Sequence, residues 1–194
     1  MLPLLVIAAA QTEGRGRSGA IWHNADRALA VSLAFHHADD DDRPFSLMAG
    51  LAALAATDGT ELKWPNDVLR AGVKVGGILV ERNEETAVVG LGLNLWWPDA
   101  PEGSGALYEV DPGEERHAEI GSLWGAELME LVESDGWPVA DYRSSCVTLG
   151  KEITWEPGGR GRAIDVADDG ALVVDTDSGV EKIYSGAIRH IRRL

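Results

Sequence analysis

The chain has a single cysteine, Cys146, among its 194 residues. No disulfide can form within it, and no cysteine–histidine cluster is spaced to hold zinc. Such usage suits a reducing cytoplasm. No run reaches the roughly 18 apolar residues of a membrane span. The opening stretch, LPLLVIAAA at residues 2–10, lacks the basic flank of a secretory leader and runs straight into a polar loop, so it reads as a buried strand. Positive charge is scarce: 17 Lys and Arg stand against 32 Asp and Glu, a net charge of −15. That balance argues against nucleic acid as a partner, although a local cation cluster can still hold a small anion. The phosphate-loop lysine pattern of P-loop nucleotidases is missing, and no long repeat is present.

What is there is an ordinary globular chain, 45% apolar and 25% charged, long enough for one domain and a small second one. Leu2–Ala10 is continuous and apolar, the pattern of a strand buried on both faces. Residues 11–27 form a loop, and Ala28–Phe35 is the next strand. Asp39–Asp42 is a charge run, read as a solvated turn rather than a carboxylate metal site. Pro44–Thr57 is a buried helix with Pro44 near its first turn and Met48 in its core. Short strands follow at Thr60–Trp64, at Gly77–Glu81 after a turn around Ala71–Gly72, and at Thr86–Leu95. A proline- and glycine-rich loop leads to Gly113. Ile120, Leu123, Trp124, Leu128, Leu131 and Val132 repeat at helical spacing within Glu114–Glu133. Trp137–Leu149 is a shorter helix, with Cys146 a small core residue rather than a nucleophile.

The character changes near Gly150. From there to the end, short alternating runs separated by glycine and aspartate turns predict a small β-barrel, residues 150–194, set against a larger unit at 1–149. The tetrapeptide GRGR occurs twice. At Gly159–Arg162, after Pro157 and Gly158, it reads as a hairpin turn. At Gly14–Arg17 it lies within QTEGRGRSGAIW, between two strands. There the glycines let the backbone approach a ligand closely, and Arg15 and Arg17 supply planar donors for carboxylate or phosphate.

Three further stretches accompany that loop: KWPND at Lys63–Asp67, KVGGILVE at Lys74–Glu81 and GLGLNL at Gly90–Leu95. Singly, each has a plain structural reading. KWPND can be a capped turn, GGIL a strand packed closely by a neighbour, and GLGLNL a central strand. In this order the four resemble the biotin protein ligase family, whose pattern runs QT-x-GRGR-x-GR-x-W, KWPND, K-x-x-GIL-x-E and G-x-G-x-N. The match covers Gln11, Thr12, Gly14–Arg17, Gly19, Trp22, Lys63–Asp67, Lys74, Gly77–Leu79, Glu81, Gly90, Gly92 and Asn94. KWPND separates the biotin ligases from the related lipoate ligases.

The resemblance implies an α+β fold. A mixed sheet with packed helices, the class II synthetase-like core, would be followed by a C-terminal barrel of Src-homology-3 type. It implies ATP-dependent ligation of biotin to a lysine of a biotin carrier domain through biotinyl-5′-AMP, with magnesium accompanying ATP. Lys63, Arg15 and Arg17 would be catalytic. Gln11, Gly14, Gly16, Trp22, Asn66, Lys74, Gly76, Gly77 and Asn94 would complete the binding of biotin and nucleotide. The partner would be a biotin carboxyl carrier protein or the carrier domain of a carboxylase. The chain would be cytoplasmic, a monomer or a weak homodimer, with no protein metal site, nucleic acid or membrane.

Departures from the pattern are specific. Ala20 stands where the family has a second arginine, and the segment after Trp22 lacks the usual Ser-Pro-x-Gly turn. The family's Ser-Thr-Asn-like motif, which holds the biotin ureido group, would lie upstream of Met1. The expectation is therefore a chain incomplete at its N-terminus or a degenerate member, with weakened affinity and selectivity. The rivals are a non-catalytic biotin- or adenylate-binding module and a lipoate or octanoate transferase on the same fold.

Overall fold

The computed structural model describes residues 1–184 and 188–190. Six strands make the first sheet: β1 (Leu4–Ala8), β2 (Arg27–His36), β3 (Thr60–Lys63), β4 (Asp67–Arg70), β5 (Val73–Arg82) and β6 (Thr86–Trp96), in spatial order β1-β2-β6-β5-β4-β3. Every ladder in it is antiparallel, so the sheet is not mixed in strand direction as expected. Tight connections explain this. The turn at Ala71–Gly72, where both residues take positive φ, joins β4 to β5 as a two-residue hairpin. That hairpin also starts β5 four residues earlier than Gly77.

Alternation along the two long strands separates the faces. Leu29, Val31, Leu33 and Phe35 of β2 and Ala87, Val89, Leu91, Leu93 and Leu95 of β6 are buried on one side. Helices α1 (Phe45–Ala56) and α2 (Arg116–Glu133) cover that side, and the Trp124 indole N–H of α2 donates to the Ala49 carbonyl of α1 at 3.1 Å. Because α1 packs against α2, the first sheet and α3 (Val139–Ser145) together, it is apolar nearly all round. Met48 is fully buried in it.

Two sequence expectations change here. β1 is an edge strand paired only with β2, and Leu4 and Val6 are about half exposed, so it is not buried on both faces. Its inner face, Leu5 and Ile7, packs against the core. The helix expected over Trp137–Leu149 is only Val139–Ser145, because the Val147 N–H is taken by the Leu62 carbonyl at 2.8 Å.

The second sheet contains β7 (Glu152–Trp155), β8 (Gly159–Val166), β9 (Leu172–Thr176), β10 (Gly179–Ile183) and β11 (Arg189–His190), ordered β10-β9-β8-β7-β11. It is antiparallel and open: among the described residues no ladder joins β10 to β11, so the expected barrel is not closed. The second GRGR lies in strand β8, and the turn before it is Glu156–Gly158. Residues 185–187 and 191–194 fall outside the described residues, and with them both ends of the expected final strand AIRHIR at 187–192. Hydrogen bonds fasten the second sheet to the first unit: Trp64 indole N–H to the Gly170 carbonyl at 3.0 Å, and Arg143 Nε to the Val166 carbonyl at 2.9 Å.

Candidate functional site

The face of the first sheet opposite the helices is nearly bare of side chains. Cross-strand neighbours Ala30, Gly92 and Gly77 form one row, and Ser32, Gly90 and Leu79 form the next. Five of these six residues are small, and Leu79 is the exception. Trp22 lies on it: a Cβ built on Gly92 would stand 3.0 Å from the indole Cε2, and one on Gly77 3.3 Å from Cζ3. Glycine at these two positions is therefore what admits the ring. Above the floor is a cavity of about 750 Å³.

The loop carrying the first GRGR forms one wall. It closes on itself through Trp22 N–H to Gly14 O at 2.9 Å and Gly16 N–H to Ala20 O at 2.7 Å, around a short turn at Arg17–Gly19. Gly14 supplies this closure and does not line the cavity. Gln11 is held by Asn24, whose side-chain amide donates to the Gln11 carbonyl at 2.5 Å. Arg17 crosses to the opposite wall, donating to Asn66 Oδ1 at 3.1 Å, while Arg15 is exposed beside it.

That opposite wall is the KWPND turn between β3 and β4. Lys63 and Asp67 face each other as register partners at its base. The turn is pinned from several directions. Trp64, 2% exposed, donates its N–H to Thr148 Oγ1 at 3.1 Å, Ser46 Oγ donates to the Pro65 carbonyl at 3.1 Å, and Asn66 Nδ2 donates to the Ile78 carbonyl at 3.0 Å. A turn held this way keeps its side chains in place before any ligand arrives. Lys63 Nζ lies 3.3 Å from Asp67 Oδ2 and Lys74 Nζ 2.5 Å from Asp67 Oδ1, so one carboxylate holds two ammonium groups at the cavity edge. The Lys74 ammonium also stands 5.9 Å from the Trp22 ring centroid, within cation–π reach.

Of the residues expected from sequence, Gln11, Arg15, Gly16, Arg17, Trp22, Lys63, Asn66, Lys74 and Gly77 line this cavity. Three do not. Gly14 closes the loop. Gly76 turns its Cα face toward the core, where a Cβ would meet Leu93 and stand 2.9 Å from the Gly92 carbonyl. Asn94 is 3% exposed and donates to the Gly105 carbonyl at 2.9 Å, while its Oδ1 has no partner among the described residues. Residues missed by sequence reasoning include Asp67, which the Lys-x-x-x-Asp spacing across a turn could have flagged. Ser32 and Gly90 follow from the period-2 register with Gly77 and Gly92. Glu156 and Ile188 reach in from the second sheet, and no local signal in sequence announces them.

His190 of β11 stands behind the KWPND turn, its Nε2 3.2 Å from Thr148 Oγ1. Burial pushes its pKa below the ordinary histidine value, and the nearby Lys63 and Lys151 charges push the same way, with Asp67 opposing. Thr148 can accept the Trp64 N–H while donating to a neutral His190, so the second sheet supports the turn through one hydroxyl.

A glycine floor walled by guanidinium and ammonium groups, with a loop latched across it, is the kind of site suited to a small anionic ligand. Comparisons with known proteins agree with this class and narrow it. The model of the biotin/lipoate A/B protein ligase family matches residues 2–94, and that of the biotin protein ligase C-terminal domain matches residues 148–190. The biotin–[acetyl-CoA-carboxylase] ligase of Mycobacterium tuberculosis is 32% identical over 97% of this chain and 79% of its own length. The bifunctional ligase/repressor BirA of Bacillus subtilis is 27% identical over 95% of this chain, which spans 65% of that protein. The biotin protein ligase of Aquifex aeolicus, solved with biotin and ATP, superposes with a TM-score of 0.80 at 26% identity, over 97% of this chain and 89% of that one. The chain belongs to the biotin protein ligase family.

Proposed function

We propose that this chain attaches biotin to a lysine of a biotin carrier domain at the expense of ATP. The observation that carries the reading is the convergence of Lys63 and Lys74 on Asp67, across the cavity from Arg17, on a floor flat enough for a fused ring. In the first step a biotin carboxylate oxygen attacks the α-phosphorus of ATP, the bond to the bridging oxygen breaks, and pyrophosphate leaves with the electron pair. Two anions must meet for this, so fixed positive charge placed beforehand lowers the barrier. Lys63, which lines the cavity, would bridge carboxylate and α-phosphate. Arg17 and Arg15 hold the same anions from the loop side. The Arg17–Asn66 contact keeps the loop over the adenylate and excludes water that would hydrolyse it. In the second step a carrier lysine amine attacks the acyl carbon and AMP leaves.

Gln11 and Gly16 belong to the biotin side, Trp22 and Gly77 to the ring floor, and Lys74 and Asn66 to the nucleotide side. Residues 1–149 form the catalytic unit and 150–194 the smaller one. The partner is a biotin carboxyl carrier protein or carrier domain, the state in solution a monomer or weak dimer, and the compartment the cytoplasm.

Among the described residues no group of three or more acidic, histidine or cysteine side chains could cage a metal, and Asp67 is engaged by two lysines. The site therefore fits magnesium only as a companion of the ATP phosphates. Held that way, it would neutralise phosphate charge as pyrophosphate departs.

Intact-mass analysis of a carrier domain incubated with this chain, ATP, magnesium and biotin tests the reading. One biotin added per carrier is expected, and none without ATP. A carrier left unmodified beside a working ligase control would sink it.

A further inference from the structure

Four carboxylates line the cavity above the glycine floor: Glu13, Asp67, Glu81 and Glu156. Asp67 is engaged by Lys63 and Lys74. Among the described residues, none of the other three lies within ion-pair distance of a lysine or arginine. They differ in where they stand. Lys63, Asp67, Gly77 and Gly92 are successive register partners and form one row across the first sheet. Glu81 lies further along β5 than Gly77, about 13 Å from that row at the rise of an extended strand. Glu13 is exposed on the loop that carries the first GRGR. Glu156 belongs to the second sheet, the unit bonded to the KWPND turn through Trp64 and Gly170. Its place is braced. Glu156 follows Trp155, the last residue of β7, and opens the turn into β8. The Trp155 indole lies across its cross-strand partner Gly159, where any Cβ would collide with the ring. Beside it stands Ile188, 5% exposed, just ahead of Arg189, which is the β11 partner of Thr154. A stiff hairpin end thus brings one exposed, unpaired carboxylate to the cavity.

We infer that Glu156 is a catalytic residue of the second step, which holds the amino group of the incoming carrier lysine and takes its proton. This role rests on the proposed ligation and says which group receives the nucleophile. The lysine arrives as a cation, and the wall it approaches carries Arg15, Arg17, Lys63 and Lys74. Those charges suit an anionic adenylate and repel an ammonium group. A carboxylate at the cavity that is not already held by lysines offsets that repulsion. The chemistry also needs a proton acceptor. The ammonium first gives one proton to solvent and becomes a nucleophile. As its nitrogen bonds to the acyl carbon, the bond from that carbon to the phosphate oxygen breaks, and AMP leaves with the electron pair. The nitrogen then sheds a second proton, which passes to the Glu156 carboxylate and from there to water. Asp67 is occupied by two ammonium groups, and Glu81 stands too far along the sheet from the row of Lys63. Glu13 travels with the loop that covers the adenylate. The other employment open to Glu156 is to pair with a loop arginine and keep the loop shut, which would tie it to the first step instead of the second.

The test uses the whole chain and Glu156→Gln, which removes the charge and keeps the shape, with Glu13→Gln and Glu81→Gln as comparators. Each is loaded with synthetic biotinyl-5′-AMP and given either a carrier domain, over a range of concentrations, or hydroxylamine. Single-turnover transfer is read by intact mass. Glu156→Gln should slow the saturated rate of transfer to the carrier about 10²-fold. Hydroxylamine is small and uncharged at neutral pH, so its rate should stay near that of the wild type. Pyrophosphate–ATP exchange and the thermal midpoint should hold as well, which reports an intact fold and first step. Glu156→Asp should recover part of the loss, and the two comparators should transfer like the wild type. Transfer by Glu156→Gln at the wild-type rate overturns the inference, as does an equal loss with both nucleophiles. A loss that disappears at saturating carrier overturns it too, since Glu156 would then only dock the carrier. So does a parallel loss of exchange, the mark of a loop latch. Failure of the ligation reading would look different, because the wild type itself would then neither exchange pyrophosphate nor modify the carrier.

Discussion

The same four residues, Gly-Arg-Gly-Arg, occur at 14–17 and at 159–162 and fold in two ways. The first copy is an irregular loop that folds back on itself, ties Arg17 to Asn66 across the cavity, and leaves Arg15 in solvent. The second is a strand paired on both sides, to β7 and to β9, with Gly161 buried between neighbours. Neighbours decide the difference. After the first copy, Gly19 takes a φ of 76° and allows the chain to turn back. After the second, Ala163–Val166 continue the strand through a register shift between Ala163 and Asp165, and the positive φ falls before it, at Gly158. In the loop Gly14 and Gly16 close the backbone on itself, and both arginines line the cavity. In the strand Gly161 serves backbone packing, and Arg162 lines a hollow at the seam with the first sheet.

Three substitutions probe that contrast. The largest effect is expected in the loop. Arg17→Ala should lower the rate of adenylate formation by a factor of about 10²–10³ and leave thermal unfolding nearly unchanged. Adenylation at close to the wild-type rate would mean the loop copy is as structural as the strand copy. Next comes Gly161→Ala. Its Cβ would stand 2.7 Å from Val174 Cγ1 and press on the Asp175 carbonyl. A loss of about 1–3 kcal/mol in denaturant unfolding is expected, and an unperturbed midpoint would show that the second sheet yields there. The smallest effect concerns the seam. The pKa of His190 is lower in the folded chain than its unfolded value of about 6.5. The folded state therefore binds fewer protons, and this stabilisation is fully present above about pH 6.5 and lost as pH falls through the lower folded value. His190→Gln should flatten that part of the stability-against-pH curve, and an unaltered slope would move its origin elsewhere.

The sequence showed these features unevenly. The strands at β2 and β6 and the apolar saturation of α1 were legible because each reflects a large, local burial requirement. The edge position of β1 was not, since a continuous apolar run looks the same whether one face or both are covered; only pairing with β2 alone, with no strand on its other side, reveals it. Within the site, the cationic residues were legible from the motifs that carry them. Asp67 was missed because an aspartate after Pro-Asn reads as a turn cap, and its partner Lys74 arrives from the next strand. A motif gives position along a strand and not what covers it: the pleat turns Gly76 toward the core, and Asn94, on the same face as Gly92, is covered by the segment at Gly105. Glu156 and Ile188 depend on how two sheets meet, which no stretch of either encodes alone.

Trp22 lies on the glycine floor with an ammonium group 5.9 Å from its ring centroid. An indole's emission responds to nearby charge, and any anion that draws Lys74 off the ring changes that charge. Trp64 borders the same cavity but is only 2% exposed, its N–H held by Gly170. Anion binding beside Lys74 should therefore register as a change in Trp22 emission, read against the background of the chain's six other tryptophans.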